Sequence, residues 1–160
     1  MILGLDVSTK KTGYCLYNGE VRGSGVITPK AKDVLIKRAK YMRTALYDIL
    51  EKYNPEFVVI EAPIVRNVKG SISISKVIGI LELLLYNKGK QYVFVHNMTL
   101  KKWATGKGNA SKKKMINKAI KLGFKPIDDN EADAFHLARW GNENREQTRK
   151  RQRHSNNKIR

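Results

Sequence analysis

The sequence predicts one mixed α/β domain, in which a three-strand antiparallel meander is joined to parallel strands and flanked by helices. Its 160 residues suit a single domain with a real core rather than two domains. Hydrophobic residues make up 41% of the chain, which excludes a wholly disordered basic protein. Hairpin-forming strands come first and strand and helix patterns then alternate. That order is typical of a mixed sheet with helices on its faces.

The meander is predicted from three short runs near the N-terminus. Met1–Ser8 is an apolar run that ends in an acid and a hydroxyl, as a buried strand would. Thr12–Tyr17 and Val21–Ile27 are two further strand candidates, and the Asn-Gly pair between them is a hairpin signal. Pro29 closes the meander.

The remaining elements alternate between helix and strand. Ala31–Tyr53 repeats apolar residues at intervals of three and four, which predicts a helix, and Asn-Pro ends it. The later predictions are a strand at Phe57–Ile60, a loop at 65–71, a helix at Ile72–Tyr86, a strand at Tyr92–Val95 and helices at Ser111–Leu122 and Asp129–Trp140. We expect the folded domain to span residues 1–142 and a basic, flexible tail to occupy 143–160.

The charge balance points to a polyanionic partner. Thirty-two Lys and Arg residues against 14 Asp and Glu give a net charge of +18, which is unlike an acidic metabolic enzyme. The single cysteine, Cys15, excludes a disulfide scaffold and a cysteine zinc site. It lies in an apolar strand-like run, which predicts a buried, inert thiol rather than a nucleophile. No export signal is visible, and the longest apolar run, Val77–Tyr86, is too short to span a bilayer. We therefore expect a soluble, cytoplasmic protein, although charge alone would also suit an anionic membrane surface.

Three acids stand out by their positions. Asp6 and Glu61 each end an apolar strand, and Asp133 interrupts an apolar helical face. If the two strands are parallel neighbours, both carboxylates project into one crevice at the carboxyl edge of the sheet. Converging carboxylates repel unless a divalent cation joins them, and Mg²⁺ or Mn²⁺ prefers such oxygen ligands. Two ions about 4 Å apart could then support phosphodiester hydrolysis. The alternative is that each acid pairs with a lysine or caps a turn.

The segment around Asp133 has a structural interpretation as well. Asp128 and Glu131 form a capping-box pattern at the start of the last helix. Asp133 lies beyond that cap, and Asp129 and Asn130 precede it by four and three residues, so either could share its face. His136 could lie near a metal or simply pack in the core, and packing is favoured.

The segment from Thr99 to Leu122 holds eight lysines and no acid. Gly106-Lys-Gly108 lies inside it, and Lys112 to Lys114 open a helix, which are features suited to phosphate contact. A solvated lysine face is the alternative, although the lack of any balancing acid weakens it. Arg66 and Lys69 add two cations in the preceding loop.

Together these motifs resemble the RuvC-type Holliday-junction resolvases of the RNase H-like nuclease superfamily. The resemblance runs from Met1 to about Asn142 and has four parts. They are Ile2-Leu-Gly-Leu-Asp6 with Thr12-Gly13, then Val59-Ile-Glu61, then Gly106-Lys-Gly108 with Lys112, then Glu131-Ala-Asp-Ala134. The small size and the ending are similar to phage or plasmid members.

The resemblance implies an RNase H-like fold and two divalent cations per site, Mg²⁺ with Mn²⁺ able to substitute. Asp6, Glu61 and Asp133 fall on three of the four family acids, but Asn130 stands at the fourth position. Either the Asn130 oxygen serves as a weaker ligand or Asp129 reaches in, and Asp129 is slightly favoured.

The resemblance also implies DNA contacts and a dimer. Two family lysines fall on Lys101 and Lys112, and the residue that inserts at the junction crossover falls on Ile64. The full predicted DNA-binding set is Ile64, Arg66, Lys69, Lys101, Lys102, Lys107, Lys112, Lys113 and Lys114. The family dimerises through the helix after this loop, which predicts an interface at Ile72, Ile74, Lys76, Val77 and Ile80.

The functional hypothesis is a Mg²⁺-dependent endodeoxyribonuclease that resolves four-way DNA junctions by paired nicks, acting as a homodimer without a membrane or a small-molecule cofactor. One alternative is a nuclease of the same fold for forks, flaps or RNA. Another is a weakened junction-binding module, which only Asn130 supports. A third is a sugar-kinase-like or actin-like ATPase, because Asp6-Val-Ser-Thr9 also resembles their phosphate loop. Those folds need two such domains, so the length of the chain argues against it.

Overall fold

The computed structural model describes residues 1–63 and 67–144. Its centre is a five-stranded mixed sheet with the strand order β3-β2-β1-β4-β5. The strands β1 to β3 form an antiparallel meander, whereas β4 runs parallel to β1 and β5 parallel to β4. This topology confirms the predicted fold class. The strands are β1 (Ile2–Val7), β2 (Thr12–Tyr17), β3 (Val21–Ile27), β4 (Phe57–Glu61) and β5 (Gln91–Val95).

Helices cover both faces of this sheet and create two hydrophobic cores. One core lies beneath the first two helices, and the other lies between the sheet and the last three. The helices are α1 (Leu35–Tyr53), α2 (Val68–Asn87), α3 (Asn97–Thr105), α4 (Lys112–Lys121) and α5 (Asp129–Glu143). Among residues 1–63 and 67–144, we find no helix with the length and apolar character needed to cross a membrane.

Strand alternation decides which face each strand-end acid occupies. Leu5 and Ile60 pair across β1 and β4, and both are buried in the core beneath α1 and α2. Successive side chains on a strand point to opposite faces, so Asp6 and Glu61 point to the other face of the sheet. That face is the one that α5 covers.

Two glycines allow α5 to lie directly on the strands. A Cβ at Gly4 would fall 2.1 Å from the carbonyl oxygen of Ala134, and a Cβ at Gly13 would fall 2.2 Å from that of Asn130. Gly13 is also the residue of β2 that pairs with Asp6. Because glycine has no side chain, the first turns of α5 lie directly against the end of β1.

The structure corrects several predicted boundaries and adds a helix. The helix α3 was not predicted, because it has only nine residues and buries only Leu100 and Ala104, too few to show a period. The start of α1 is Leu35 rather than Ala31, after a turn over the preceding residues. The start of α2 is Val68 rather than Ile72, since the Asn67 side chain caps it by accepting a 2.7 Å hydrogen bond from the Gly70 amide.

Two further predictions concern Cys15 and the tail. Cys15 is fully buried, and burial raises the pKa of its thiol to about 12, which agrees with the predicted inert thiol. The helix α5 continues to Glu143, three residues past its predicted end. Most of the predicted tail lies outside the described residues, so the boundary at residue 142 stays a prediction.

Candidate metal centre

The three acids singled out in the sequence meet at one edge of the sheet. Asp6 comes from β1, Glu61 ends β4 and Asp133 lies in the second turn of α5. One carboxylate oxygen from each residue lies within 4.8 Å of the other two. The parallel pairing of β1 with β4 and the close approach of α5 together produce this cluster.

Electrostatics within the cluster oppose full ionisation. Burial, followed by the negative charges of Glu61 and Asp133, raises the pKa of Asp6 well above its usual value. Burial, followed by the charge of Glu61, raises the pKa of Asp133 to about 7. The positive charges of Lys101 and Lys112 act in the opposite direction on Asp133. A bound cation would remove this mutual repulsion.

The donor set at this edge suits a divalent cation. The side chain of Asp133 is buried with 8% exposure, and its Oδ1 atom has no hydrogen-bond partner among the described residues. A buried oxygen without a partner is costly unless a ligand satisfies it. All three side chains offer oxygen ligands, which hard cations such as Mg²⁺ and Mn²⁺ prefer. The residues present therefore fit a divalent cation.

Two side-chain amides hold carboxylates of the cluster. The Nδ2 atom of Asn130 donates a 2.8 Å hydrogen bond to Oδ2 of Asp6. The Nδ2 atom of Asn97, the first residue of α3, donates to Oε1 of Glu61. Sequence reasoning missed Asn97, because α3 itself was not predicted. The available signal was an amide two residues beyond β5, at the same carboxyl edge of the sheet.

Asp129 and Lys112 form a pair beside the cluster. Oδ2 of Asp129 accepts from Nζ of Lys112, the first residue of α4. Asp129 is thus neutralised by a lysine and is not among the three mutually close acids, whereas Asn130 contacts Asp6 directly. The choice between Asp129 and Asn130 as a fourth metal ligand stays a prediction.

The cap of α5 fixes the helix over the site. The Asp128 carboxylate accepts a 3.0 Å hydrogen bond from the Glu131 amide, as the capping-box interpretation requires. The carboxylate of Glu131 reaches back to the Ile127 amide, one residue before the cap. Nζ of Lys11 lies 2.5 Å from Oδ2 of Asp128, which ties the β1–β2 loop to the same helix start.

His136 is a core residue. Its ring is fully buried, and its Nε2 atom lies 3.0 Å from the carbonyl oxygen of Met115 in α4. Burial lowers the pKa of this imidazole to about 4, so the ring is neutral at physiological pH. The structure therefore agrees with packing as its role.

A cleft of about 400 Å³ opens beside the cluster and leads toward the start of α2. Asp6 and Glu61 line it on one side, and Asn67 and Ser71 line it on the other. Of the predicted DNA-binding residues, Ile64 and Arg66 lie outside the described residues. The structure places Lys69 in the first turn of α2, Lys101 and Lys102 on α3, Lys107 in the loop after α3, and Lys112, Lys113 and Lys114 in the first turn of α4.

The predicted dimer residues on α2 require one correction. Val77 is fully buried in the core between α2 and the sheet, so it cannot line an exposed interface. Ile72 and Lys76 are exposed, whereas Ile74 and Ile80 are partly buried. Helical spacing extends the exposed side into a stripe, which we call the α2 stripe: Val68, Ile72, Lys76, Gly79, Leu83 and Tyr86.

Comparison with known proteins gives consistent results at the levels of family and fold. The family model described as "Crossover junction endodeoxyribonuclease RuvC" matches residues 2–139. A protein of that name from Chlamydia trachomatis serovar L2 is 33% identical over 150 residues, covering 86% of this chain and 88% of the relative. The protein of that name from Dehalococcoides mccartyi, strain BAV1, is 29% identical over 146 residues, covering 86% and 87%.

Solved structures support the same fold. The Thermus thermophilus RuvC structure in complex with a Holliday junction substrate superposes with a TM-score of 0.74 at 18% identity, covering 86% of this chain and 89% of the other. The Fowlpox virus resolvase, solved with Holliday junction DNA, gives a TM-score of 0.56 at 18% identity and covers 89% and 99%. With nearly the whole described chain matched by one family model, the protein belongs to the RuvC family of crossover junction endodeoxyribonucleases.

Proposed function

We propose that this protein cuts four-way DNA junctions in a reaction that depends on Mg²⁺, with Asp6, Glu61 and Asp133 as the metal ligands. The observation that carries the proposal is the convergence of three carboxylates from separate elements on one sheet edge. The names of the relatives, and the junction DNA bound to two structural neighbours, support a four-way junction as the substrate.

The charge distribution supports DNA as the partner. The chain carries a net charge of +18, and the segment that contains α3 and α4 is rich in lysine. Contact with phosphates is mainly electrostatic, so lysines beside the acidic cluster would hold the backbone without reading its sequence. The cleft between the cluster and the start of α2 offers room for one strand at the acids.

Each residue at the site has a separable role in this proposal. Asp6, Glu61 and Asp133 supply the anionic ligands, and Asn97 and Asn130 orient two of those carboxylates. When bound, two divalent cations lower the pKa of water and offset charge on the phosphodiester that is cut. We propose Asn130 or Asp129 as the fourth ligand, with Mn²⁺ able to replace Mg²⁺.

Lys101 and Lys112 complete the site on its DNA side. Both are close enough to Asp133 to lower its pKa, which places two positive charges beside the acids. We propose that they position the phosphate of the strand that is cut and balance its charge. Lys112 also lies at the N-terminus of α4, where the helix dipole favours an anion.

We further propose that two copies act together through the α2 stripe. Leu83 is 59% exposed and Tyr86 is 80% exposed, and with Val68 and Ile72 they make the stripe largely apolar, which is a feature of interaction surfaces. A two-fold dimer would present two acidic clusters to a junction of near two-fold symmetry and allow paired nicks.

The decisive experiment compares a four-way junction with a linear duplex of the same sequence, with and without Mg²⁺. We expect symmetric nicks in the junction only when Mg²⁺ is present. The Asp6→Asn variant should abolish cutting yet still bind the junction, because it removes a ligand and reduces repulsion of the phosphate.

Three outcomes would contradict the proposal. Full cutting by the Asp6→Asn variant would exclude Asp6 as a metal ligand. Equal cutting of the junction and the linear duplex would exclude selectivity for junctions. Tight binding without any cutting by the native chain would instead support the junction-binding module.

A further inference from the structure

A second cleft lies between α3 and α4, separate from the acidic cluster. Its volume is about 700 Å³, and it shares no lining residue with the cleft beside Asp6 and Glu61. The side contributed by α4 is basic and also includes Asn117 and Ile120, and the side contributed by α3 includes the Trp103 ring. The basic residues that line it are Lys107, Lys114, Lys118 and Lys121.

These lysines have no acidic counterpart in the described part of the chain. No Asp or Glu is among the residues that line the cleft. The ion pairs found within residues 1–63 and 67–144 use other cations, including Lys11, Lys88 and Lys112. Four like charges around one cleft repel each other, and an anionic ligand would remove that repulsion.

The arrangement of the lysines fits a chain of phosphates. Lys114, Lys118 and Lys121 follow each other at intervals of four and three residues, so they share one face of α4. Met115 and Ala119 are buried in the core on a different side of α4, Lys114 and Lys121 are exposed, and Lys118 is half-buried. From Lys114 to Lys121 the helix rises about 10 Å. That distance corresponds to roughly three base pairs along duplex DNA.

Other features of the cleft favour an anion with polar edges. The Asn117 amide lines it and can donate hydrogen bonds, whereas the Thr105 hydroxyl already donates to the carbonyl oxygen of Lys101. The guanidinium carbon of Arg139 lies 5.2 Å from the centroid of the Trp103 ring, so one more cation lies close to this wall. Arg139 pairs with Glu143, and Glu143 is not a lining residue.

We propose that the α3–α4 cleft binds the phosphodiester backbone of a junction arm, away from the phosphate that is cut. The proposal rests on the proposed function for its substrate, and it adds a second contact surface on the same DNA. Lys112 in the first turn of α4 lies beside the acidic cluster, whereas Lys114, two residues later, begins the lysine face on another side of the same helix. A junction arm held at the acids that passes the first turn of α4 would reach this cleft.

The test uses the full-length chain with Lys114→Gln, Lys118→Gln and Lys121→Gln combined. Affinity for a four-way junction is measured without divalent cations over a series of salt concentrations. The slope of log affinity against log salt should fall by about 0.9 for each phosphate that is no longer neutralised by a lysine, so by roughly 2 to 3 for the triple variant. Hydroxyl-radical footprinting should show reduced protection along an arm, with protection at the cut site retained.

Two matched variants control for net charge and for folding. Replacing Lys37, Lys40 and Arg43 by Gln removes the same charge from exposed positions on α1, beneath the other face of the sheet. That variant should keep a slope within about one of the native value. A triple Lys→Arg variant in the cleft keeps the charge and should keep the native slope.

Three outcomes of the salt and footprinting measurements would overturn the proposal. An equal decrease of slope in the α4 and α1 variants would mean that net charge alone attracts the DNA. An unchanged slope in the α4 variant, or reduced protection only at the cut site, would exclude an arm in the cleft. Failure of the native protein to cut the junction would refute the proposed function, while the slopes and footprint would still report on the cleft.

Discussion

Asp133 is the residue whose surroundings argue most directly for a bound cation. It is buried, one of its oxygens has no partner among the described residues, and its pKa is raised to about 7. A carboxylate kept in such a place destabilises the metal-free protein once it ionises. Natural active sites commonly tolerate such costs because the same groups are needed for function.

Replacing Asp133 by Asn should therefore stabilise the metal-free protein. The pKa of Asp133 is about 7 in the folded protein, against an ordinary value of 3.8. Below pH 4 the carboxyl is protonated in both the folded and the unfolded state. As the pH rises from 4 through 7, the folded state loses stability relative to the unfolded state, because ionisation is easier in the unfolded chain. The variant has no carboxyl to ionise at this position. Above pH 7 its free energy of unfolding should therefore exceed that of the native protein by on the order of 4 kcal/mol. Urea unfolding at pH 5 and pH 8 in EDTA measures the difference. A variant equally or less stable than native at pH 8 would contradict the raised pKa.

Asn97 allows a test of positioning rather than ligation. The Asn97→Ala variant leaves the Glu61 carboxylate without its amide donor, and loss of such a partner costs metal sites about 10–100-fold in affinity or activity. We expect a rise of that size in the Mg²⁺ concentration for half-maximal thermal stabilisation. Junction affinity without metal should stay unchanged, because Asn97 is not placed on the DNA. An unchanged Mg²⁺ response would exclude a positioning role.

A substitution at Asn130 tests the effect of having an amide where the family pattern has a fourth acid. The Asn130→Asp variant replaces the amide that donates to Asp6 with a fourth carboxylate. The added charge should tighten Mg²⁺ binding and lower the melting temperature in EDTA, because one more negative charge then lies beside Asp6. Calorimetry of Mg²⁺ binding and a melting curve in EDTA measure the two effects. Weaker Mg²⁺ binding by this variant would favour Asn130 as a ligand in its native form.

At the scale of elements, the site depends on the contact between α5 and the meander. Gly4 and Gly13 leave the strand surface bare, so that the backbone of α5 lies against β1 and β2. Thr12-Gly13 was identified in the sequence through a resemblance alone, and the structure supplies its physical reason. Without this contact Asp133 would be separated from Asp6, although both residues would remain in intact elements.

The Gly13→Ala variant should push the first turn of α5 away from the sheet. The new Cβ would meet the backbone of Asn130 at 2.2 Å, which α5 can relieve only by moving. We expect a loss of about 1–3 kcal/mol in the free energy of unfolding and a much reduced Mg²⁺-dependent rise in melting temperature. Gly79→Ala is the control for the Mg²⁺ response, since within one chain its Cβ meets open space on the α2 stripe, away from the acids. Native-like Mg²⁺ stabilisation of Gly13→Ala would show that the close approach is not required.

At the scale of the whole molecule, the α3–α4 cleft and the α2 stripe lie on opposite faces of the sheet. Lysines collect on α3 and α4, which flank α5 on one face of the sheet, and the α2 stripe lies on the other. This separation lets the proposed arm contact and self-association use different surfaces. The proposed dimer and the proposed arm contact can therefore be tested independently.

Leu83→Glu tests the dimer. A charge in the middle of the α2 stripe should convert a dimer to a monomer, because it would be buried without a partner at the interface. Sedimentation velocity measures the change, and Ile36→Glu is a control with similar exposure on α1. A native protein that stays monomeric at all concentrations, or a variant that stays dimeric, would contradict an interface at this stripe.

Much of the fold and part of the site follow from local features of the sequence. The three meander strands, both later strands and four of the five helices in residues 1–63 and 67–144 were predicted. Each of them has a hydrophobic period, or a breaking residue at its end, that is visible in its own segment of sequence. Asp6 and Glu61 were identified for the same reason, because an acid at the end of an apolar run is visible without the fold. The short helix α3 was missed, and Asn97 with it, because nine residues with two buried positions carry no such signal.

The sequence by itself determined the strand-end acids, the lysine-rich segment and the order of elements, because these depend on residues adjacent in the chain. Only the tertiary structure decided that Asn130 contacts Asp6 while Asp129 pairs with Lys112, and that Val77 is buried. Those outcomes depend on how far each helix is rotated about its axis when it packs. Contacts between segments that are distant in the chain set that rotation, so it cannot be predicted from the residue pattern of a single helix.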